Sequence, residues 1–229
     1  MTQSNVGIET EYRSFDDYFK SMLMAYEFAR DSKTLQKAYV EVFTEKDLPD
    51  PIEDLFYEYE VGFCSSGGFG GDVALYYVLE RLKKIKETFN LSIKFYCIGD
   101  YDAEGEHIIK KIKERYEPFG IDIKKLAITK QQVVDLQLVP NKGYREKMMK
   151  PKTLKYHMQK QYVWDFFEAN KDICPPDGIC QFELEGLETT YLLELLKSTA
   201  TRHISLETIK HSRAIFRREA QEWAKNHVS

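Results

Sequence analysis

Residues 93–108 read IKFYCIGDYDAEGEHI. An apolar run ends in glycine, and four carboxylates follow within the seven positions from Asp100 to Glu106. IKFYCIG (93–99) has the β-branched and aromatic composition of a buried strand. Beyond the acids, Ile108, Ile109, Ile112 and Tyr116 recur at helical spacing, while Lys110, Lys111, Lys113 and Arg115 fall on the opposite side. A strand that runs directly into a helix is one half of a parallel strand–helix unit, and the acids lie in the turn between the two.

The same alternation extends in both directions. AYVEVFT (38–44) predicts a strand, and Asp50-Pro51 predicts an N-cap with proline in the first turn and Glu53 placed for a capping box. Ile52, Leu55, Phe56 and Tyr59 follow at helical spacing. VGFCSS (61–66) predicts a second strand, broken by SGGFGG. Asp72 then opens a long helix with Leu75, Val78, Leu79 and Leu82 on one side, and IDIKKLAIT (121–129) predicts a fourth strand. Short strands joined by helices imply an α/β fold, a Rossmann-like parallel sheet of about four strands with helices on both faces and right-handed crossovers. Ligands bind such sheets beyond the carboxyl ends of the strands. Glu45 stands at one such end, and Asp100 and Asp102 stand at another.

The rest of the chain is less regular. Helices are expected at Phe15–Arg30, Leu187–Thr199 and Ser205–Val228, KDICPPDG (171–178) as a loop and QFELEGL (181–187) as one more strand. The expected division is an N-terminal helical extension at 1–37, a principal domain at 38–200 with its core at 38–129 and a basic segment at 141–163, and a C-terminal helix at 201–229. No apolar run approaches the ~18 residues of a membrane span, and the polar, acidic start lacks the marks of a signal or transit peptide. The four cysteines form no CxxC pair, so they are read as thiols of a reduced, cytoplasmic protein; Cys174 and Cys180 alone are a weak zinc signal. The net charge of −4 excludes a globally basic nucleic-acid footprint, so any such footprint is local.

Four chemistries compete for the acidic turn. A helix cap accounts for Asp102, and the helix dipole for Glu104 and Glu106, but neither explains Asp100 or Glu45. An EF-hand fails because its twelfth position is Lys111 and a strand precedes the loop. SGGFGG fits neither GxGxxG nor GxxxxGK, which leaves a tight turn or a phosphate resting on the helix N-terminus. A magnesium site fits best: one or two carboxylates plus water and phosphate oxygens satisfy this ion, and the ion relieves the repulsion among crowded acids.

At these residues the chain resembles the TOPRIM domain shared by topoisomerases, bacterial primases, OLD-type nucleases and meiotic break-forming proteins. The branch it resembles contains the topoisomerase VI A subunit and shorter phage and archaeal relatives. VEVFTEKDL (40–48), CSSGGFGG (64–71), IGDYDAEGEHI (98–108), LVPNKGYR (138–145) and FELEGL (182–187) are similar to that branch's blocks, in the expected order over roughly residues 38–200. The resemblance implies a general acid/base role for Glu45 and metal binding by Asp100 and Asp102, with Glu45 and Glu104 as further candidate ligands of Mg²⁺ or Mn²⁺. Glu41, mid-strand, is read as a salt-bridged structural acid. Lys46 is a candidate phosphate contact, and Glu183 or Glu185 a candidate additional ligand. The 37 residues before the first strand leave no room for the branch's winged-helix domain and its nucleophilic tyrosine.

KGYREKMMKPKTLKYHMQK (142–160) carries seven Lys/Arg against one acid, interleaved with tyrosines. Lys142, Arg145, Lys147, Lys150, Lys152 and Lys155 are the candidate nucleic-acid contacts, and Tyr144, Tyr156 and Tyr162 candidate stacking partners for unpaired bases. The expected function is a Mg²⁺-dependent TOPRIM-type nuclease, or the catalytic subunit of one, acting on DNA or RNA. The alternative is a non-catalytic subunit that binds nucleic acid or a partner in a topoisomerase-like or defence complex. The reading leaves room for a protein partner and for a homodimer.

Overall fold

The computed structural model of the chain describes residues 36–65, 71–175 and 179–227. The helix expected at Phe15–Arg30 and most of the SGGFGG turn lie outside the described residues. Four strands, β1 (Ala38–Thr44), β2 (Gly62–Ser65), β3 (Ser92–Ile98) and β4 (Ile121–Ala127), form one sheet in the order β2-β1-β3-β4, and every pairing is parallel. The connecting helices are α1 (Asp50–Glu58), α2 (Gly71–Phe89) and α3 (Ala103–Tyr116). The fold is thus α/β, with a four-stranded parallel sheet flanked by helices.

The period of two along the strands decides what each side chain faces. Tyr39 and Phe43 of β1, Phe95 and Cys97 of β3 and Ile121 and Ile123 of β4 pack with Leu75, Leu79 and Leu82 of α2 and Ile109, Ile112 and Tyr116 of α3 in one buried cluster. Phe95 meets Tyr116 edge to face at 5.3 Å. Ile52, Leu55, Phe56 and Tyr59 are buried as their spacing predicts. The start of α1 differs from expectation: Pro49 is the N-cap, without a side-chain cap, and Asp50 already lies inside the helix. Proline at 49 has an extended backbone (φ −60°, ψ 143°), which suits a cap position.

Beyond β4 come α4 (Lys130–Asp135), α5 (Lys142–Met148), α6 (Pro151–His157), α7 (Gln161–Ala169), α8 (Thr189–Thr201) and α9 (Leu206–His227). A capping box does form at α4, where Thr129 and Gln132 satisfy each other's backbone N–H groups. QFELEGL is not a strand. Phe182 makes one isolated antiparallel bridge to Tyr101, and Leu184–Gly186 turns into a 3₁₀ helix. The bridge ties this segment to the chain just after β3, so its backbone is spent on the acidic turn rather than on the sheet. Cys174 and Cys180, read as separate thiols, are instead joined as a disulfide, with Cα atoms 5.5 Å apart. Cys97 is buried and Cys64 half-buried as free thiols.

Gln36–Leu206 forms one compact unit, and Glu207 onward belongs to a second, whose described part is α9. Among the described residues no helix is long and apolar enough to cross a membrane.

Candidate active site

Strand order locates the crevice. β1 leads through α1 to β2 on one side of it, and β3 leads through α3 to β4 on its other side. The outgoing connections diverge between β1 and β3, which is the switch point where parallel sheets open to ligands. Thr44 and Ile98 are paired across these two strands, so Glu45 and Asp100, just beyond them, emerge at the same edge. Glu45, Gly99, Asp100 and Gly105 line one small cavity there, floored by Cys97 and Ile109.

Asp102 is the N-cap of α3, in extended backbone, and its Oδ1 accepts from the Gly105 N–H at 2.8 Å. The cap uses one carboxylate oxygen, and the other accepts a hydrogen bond from Gln181. A side chain at Gly105 would bring a Cβ to 3.0 Å from the Asp100 carbonyl oxygen, so glycine allows the first turn of α3 to close on the strand end.

Gln181 joins the two aspartates. Its Nε2 donates to Asp102 Oδ2 at 2.7 Å and to Asp100 Oδ2 at 3.2 Å. Asp100 Oδ1 accepts from the Leu184 N–H at 2.8 Å and lies 2.9 Å from Lys46 Nζ, which also reaches Glu185 at 2.6 Å. Lys125 Nζ donates to the Asp100 carbonyl oxygen at 3.0 Å and to Glu106 at 2.6 Å. Two carboxylates thus converge on one amide nitrogen, within a ring of positive poles supplied by the chain.

The electrostatics follow from this crowding. Burial, then the charges of Asp102 and Asp100, push the Glu45 carboxyl above its usual range, and Lys125 and Lys46 offset part of the rise. Burial also raises Asp102, against the stabilising bonds from Gly105 and Gln181. Burial works to lower the Lys46 ammonium, but its bonds to Glu185 and Asp100 outweigh that and raise it.

The other candidates fall in different places. Glu104, in the first turn of α3, turns away from the aspartate pair toward α5, α6 and α7. Tyr144 and Tyr162 donate to it at 3.4 Å each, and His157 Nδ1 approaches to 2.9 Å. The His157 contact lacks the alignment of a hydrogen bond, and Nδ1 has no hydrogen-bond partner. Glu41 is fully buried mid-strand and pairs with Arg81, with the Tyr39 O–H donating to it at 3.0 Å. Lys142, Arg145, Lys147, Lys150, Lys152 and Lys155 are all exposed on α5 and α6. Among the described residues no three His, Cys, Asp or Glu side chains are arranged to hold a metal ion together, so Glu45, Asp100, Asp102 and Glu104 do not form one cage.

Sequence reasoning missed Gln181, the Leu184 N–H and Lys125. Lys125 left a trace, a charge in β4 beside residues that face the core. Gln181 left none, because it stands some eighty residues from the acids it holds and in no motif.

No family model, no curated protein and no solved structure matches this chain.

Proposed function

We propose that the chain is a Mg²⁺-dependent TOPRIM-type nuclease, or the catalytic subunit of one, that cleaves phosphodiester bonds. One observation supports this most directly: Asp100 and Asp102 turn one oxygen each to the same Gln181 amide nitrogen, and Asp100 lines a cavity with Glu45 at the β1/β3 strand ends. Two carboxylates around one point match the protein share of a magnesium site, which takes its remaining oxygens from water and phosphate. Asp100 and Asp102 would hold the ion, with Mn²⁺ as a substitute. When bound, it would polarise the phosphate and offset charge on the leaving oxygen.

The chain's own residues supply the rest. Glu45, held above the usual carboxylate range by burial and then by Asp102 and Asp100, is the group placed to carry a proton. Water attacks phosphorus, the bond to the leaving oxygen breaks, and Glu45 takes the proton from the water or gives one to the leaving oxygen. Lys46 and Lys125 place positive charge at the mouth of the crevice. The exposed cations of α5 and α6 would follow the flanking backbone. Asn141 links them to the crevice, since its N–H donates to the Gln181 carbonyl oxygen at 2.8 Å and it caps α5.

The test is cleavage of plasmid and single-stranded substrates with Mg²⁺ or Mn²⁺, by wild type and Asp100→Ala. Loss of activity by orders of magnitude in the variant, with its fold retained, supports the reading. Equal rates refute it. A second reading, a non-catalytic subunit that binds nucleic acid or a partner, draws on Lys46 and Gln181, which satisfy the aspartates from within the chain. It expects binding without turnover and indifference to Asp102→Asn.

A further inference from the structure

We infer that the surface formed by α5, α6 and α7 binds unpaired, single-stranded nucleic acid, with Tyr156 and Trp164 as its stacking residues. The inference deepens the nuclease reading and rests on it for what happens to the strand once bound.

The tertiary structure sorts the aromatics of this region into two sets. Tyr144 and Tyr162 spend their hydroxyls on Glu104, and the Tyr162 ring lies flat on His107, with centroids 4.0 Å apart and planes 8° from parallel. These rings belong to the internal joint between α3 and the basic helices. Tyr156 and Trp164 are 60% and 46% exposed. They flank the junction of α6 and α7. Tyr156 lies in the last turn of α6, and the Trp164 indole N–H reaches back to the Met158 carbonyl oxygen at 2.9 Å. That bond fixes the indole before any ligand arrives, which lowers the ordering cost of stacking on it. Lys160, between the two, holds its ammonium 4.4 Å from the Tyr156 ring centre.

Charge selects the ligand class, and the rings select its form. Lys142, Arg145, Lys147, Lys150, Lys152 and Lys155 are exposed along α5 and α6, with Glu146 as the one acid of residues 142–160; α7 adds the exposed acids Asp165 and Glu168. Such a track suits a polyanion. An acidic peptide would satisfy the cations but has no flat groups for two exposed rings. A duplex keeps its bases stacked on each other, so only a strand with free base faces uses both features. The path reaches the aspartate pair through Asn141 and Gln181.

The experiment is fluorescence anisotropy with a labelled oligothymidylate and a blunt duplex of equal length, in EDTA so that nothing is cleaved. Trp223→Phe serves as the background, because the chain has two tryptophans and indole emission then reports Trp164 alone. Expected are tighter binding of the single strand, quenching of the indole, and roughly tenfold weaker single-strand binding in Tyr156→Ala and in Trp164→Ala, with duplex binding unchanged. Tyr156 is exposed enough that its truncation leaves the fold intact, which circular dichroism checks. Equal affinity for both forms overturns the inference, as does a Tyr156→Ala chain that binds like wild type. Polyglutamate competing as well as the oligonucleotide also overturns it. Failure of the nuclease reading is distinguishable: cleavage would not depend on Asp100 while the single-strand preference persists in EDTA.

Discussion

Lys46 Nζ stands 2.9 Å from Asp100 Oδ1, so the crevice carries its own cation. The pair is partly exposed, and its stabilising contribution is at most about 1 kcal/mol. Its larger consequence is competition, since a divalent ion at Asp100 must displace the ammonium or share the carboxylate with it. Lys46→Met is expected to unfold at nearly the wild-type temperature without metal and to gain more from added Mn²⁺. Asp100→Ala should gain nothing. Thermal denaturation with and without Mn²⁺ checks this, and an equal gain in all three chains contradicts it.

Gln181 shields Asp100 from Asp102 with a single amide. Gln181→Ala leaves two buried or half-buried carboxylates facing each other with one donor fewer. The expected cost is about 1–3 kcal/mol, the usual cost of an unmet buried polar group. Mg²⁺ should restore part of it, because the ion answers the same charges. Denaturant unfolding in EDTA and in Mg²⁺ measures both effects.

Glu45 sets a pH dependence with a definite sign. Its folded carboxyl titrates above the 4.5 of an ordinary glutamate, through burial and then through Asp102 and Asp100. Between 4.5 and the raised value the folded chain keeps a proton that the unfolded chain has released. Stability therefore falls as pH rises through that window, and the cost is fully present above it. Glu45→Gln removes that cost. The variant should melt higher than wild type at neutral pH, and the difference should close as pH falls below 4.5. A constant difference at every pH would contradict the assignment.

Glu41 and Glu45 should separate cleanly in function. Glu41 is sealed beneath α2, where Arg81 compensates it. Arg81→Met is expected to destabilise the fold toward the lower end of the ~3–5 kcal/mol seen when a buried pair loses a partner, because Arg81 is half-exposed and the Tyr39 O–H remains. Cleavage by the folded fraction should not change. Glu45→Gln should do the reverse, sparing stability and lowering the rate. Parallel unfolding and cleavage measurements decide between them.

Gly62 packs its bare Cα against the same buried acid. A methyl group there would collide with the Glu41 carboxylate and the Tyr39 hydroxyl. Gly62→Ala should therefore cost about 1–3 kcal/mol, as overpacking does, with no effect on metal response. Urea denaturation measures it.

The sequence by itself determined the α/β frame. The near-continuous apolar runs AYVEVFT and IKFYCIG, and the period of three to four in the helices that follow, oblige each strand to bury both faces and each helix one side. A parallel sheet covered by helices is the arrangement that satisfies both. Glu45 and Asp100 were legible as strand-end acids for the same reason, because an apolar run that stops at an acid marks an edge. Tertiary structure alone decided which groups meet those acids. Beyond the Gly105 cap bond and Lys46, the donors on Asp100 and Asp102 come from Gln181 and Leu184, whose segment looked like a fifth strand until its bridge to Tyr101 fixed it against the acidic turn. Glu104 went to the tyrosines of α5 and α7, although it lies two residues from Asp102. Local sequence sets which face a residue occupies, whereas a hydrogen bond between segments eighty residues apart forms only after the core has brought them together.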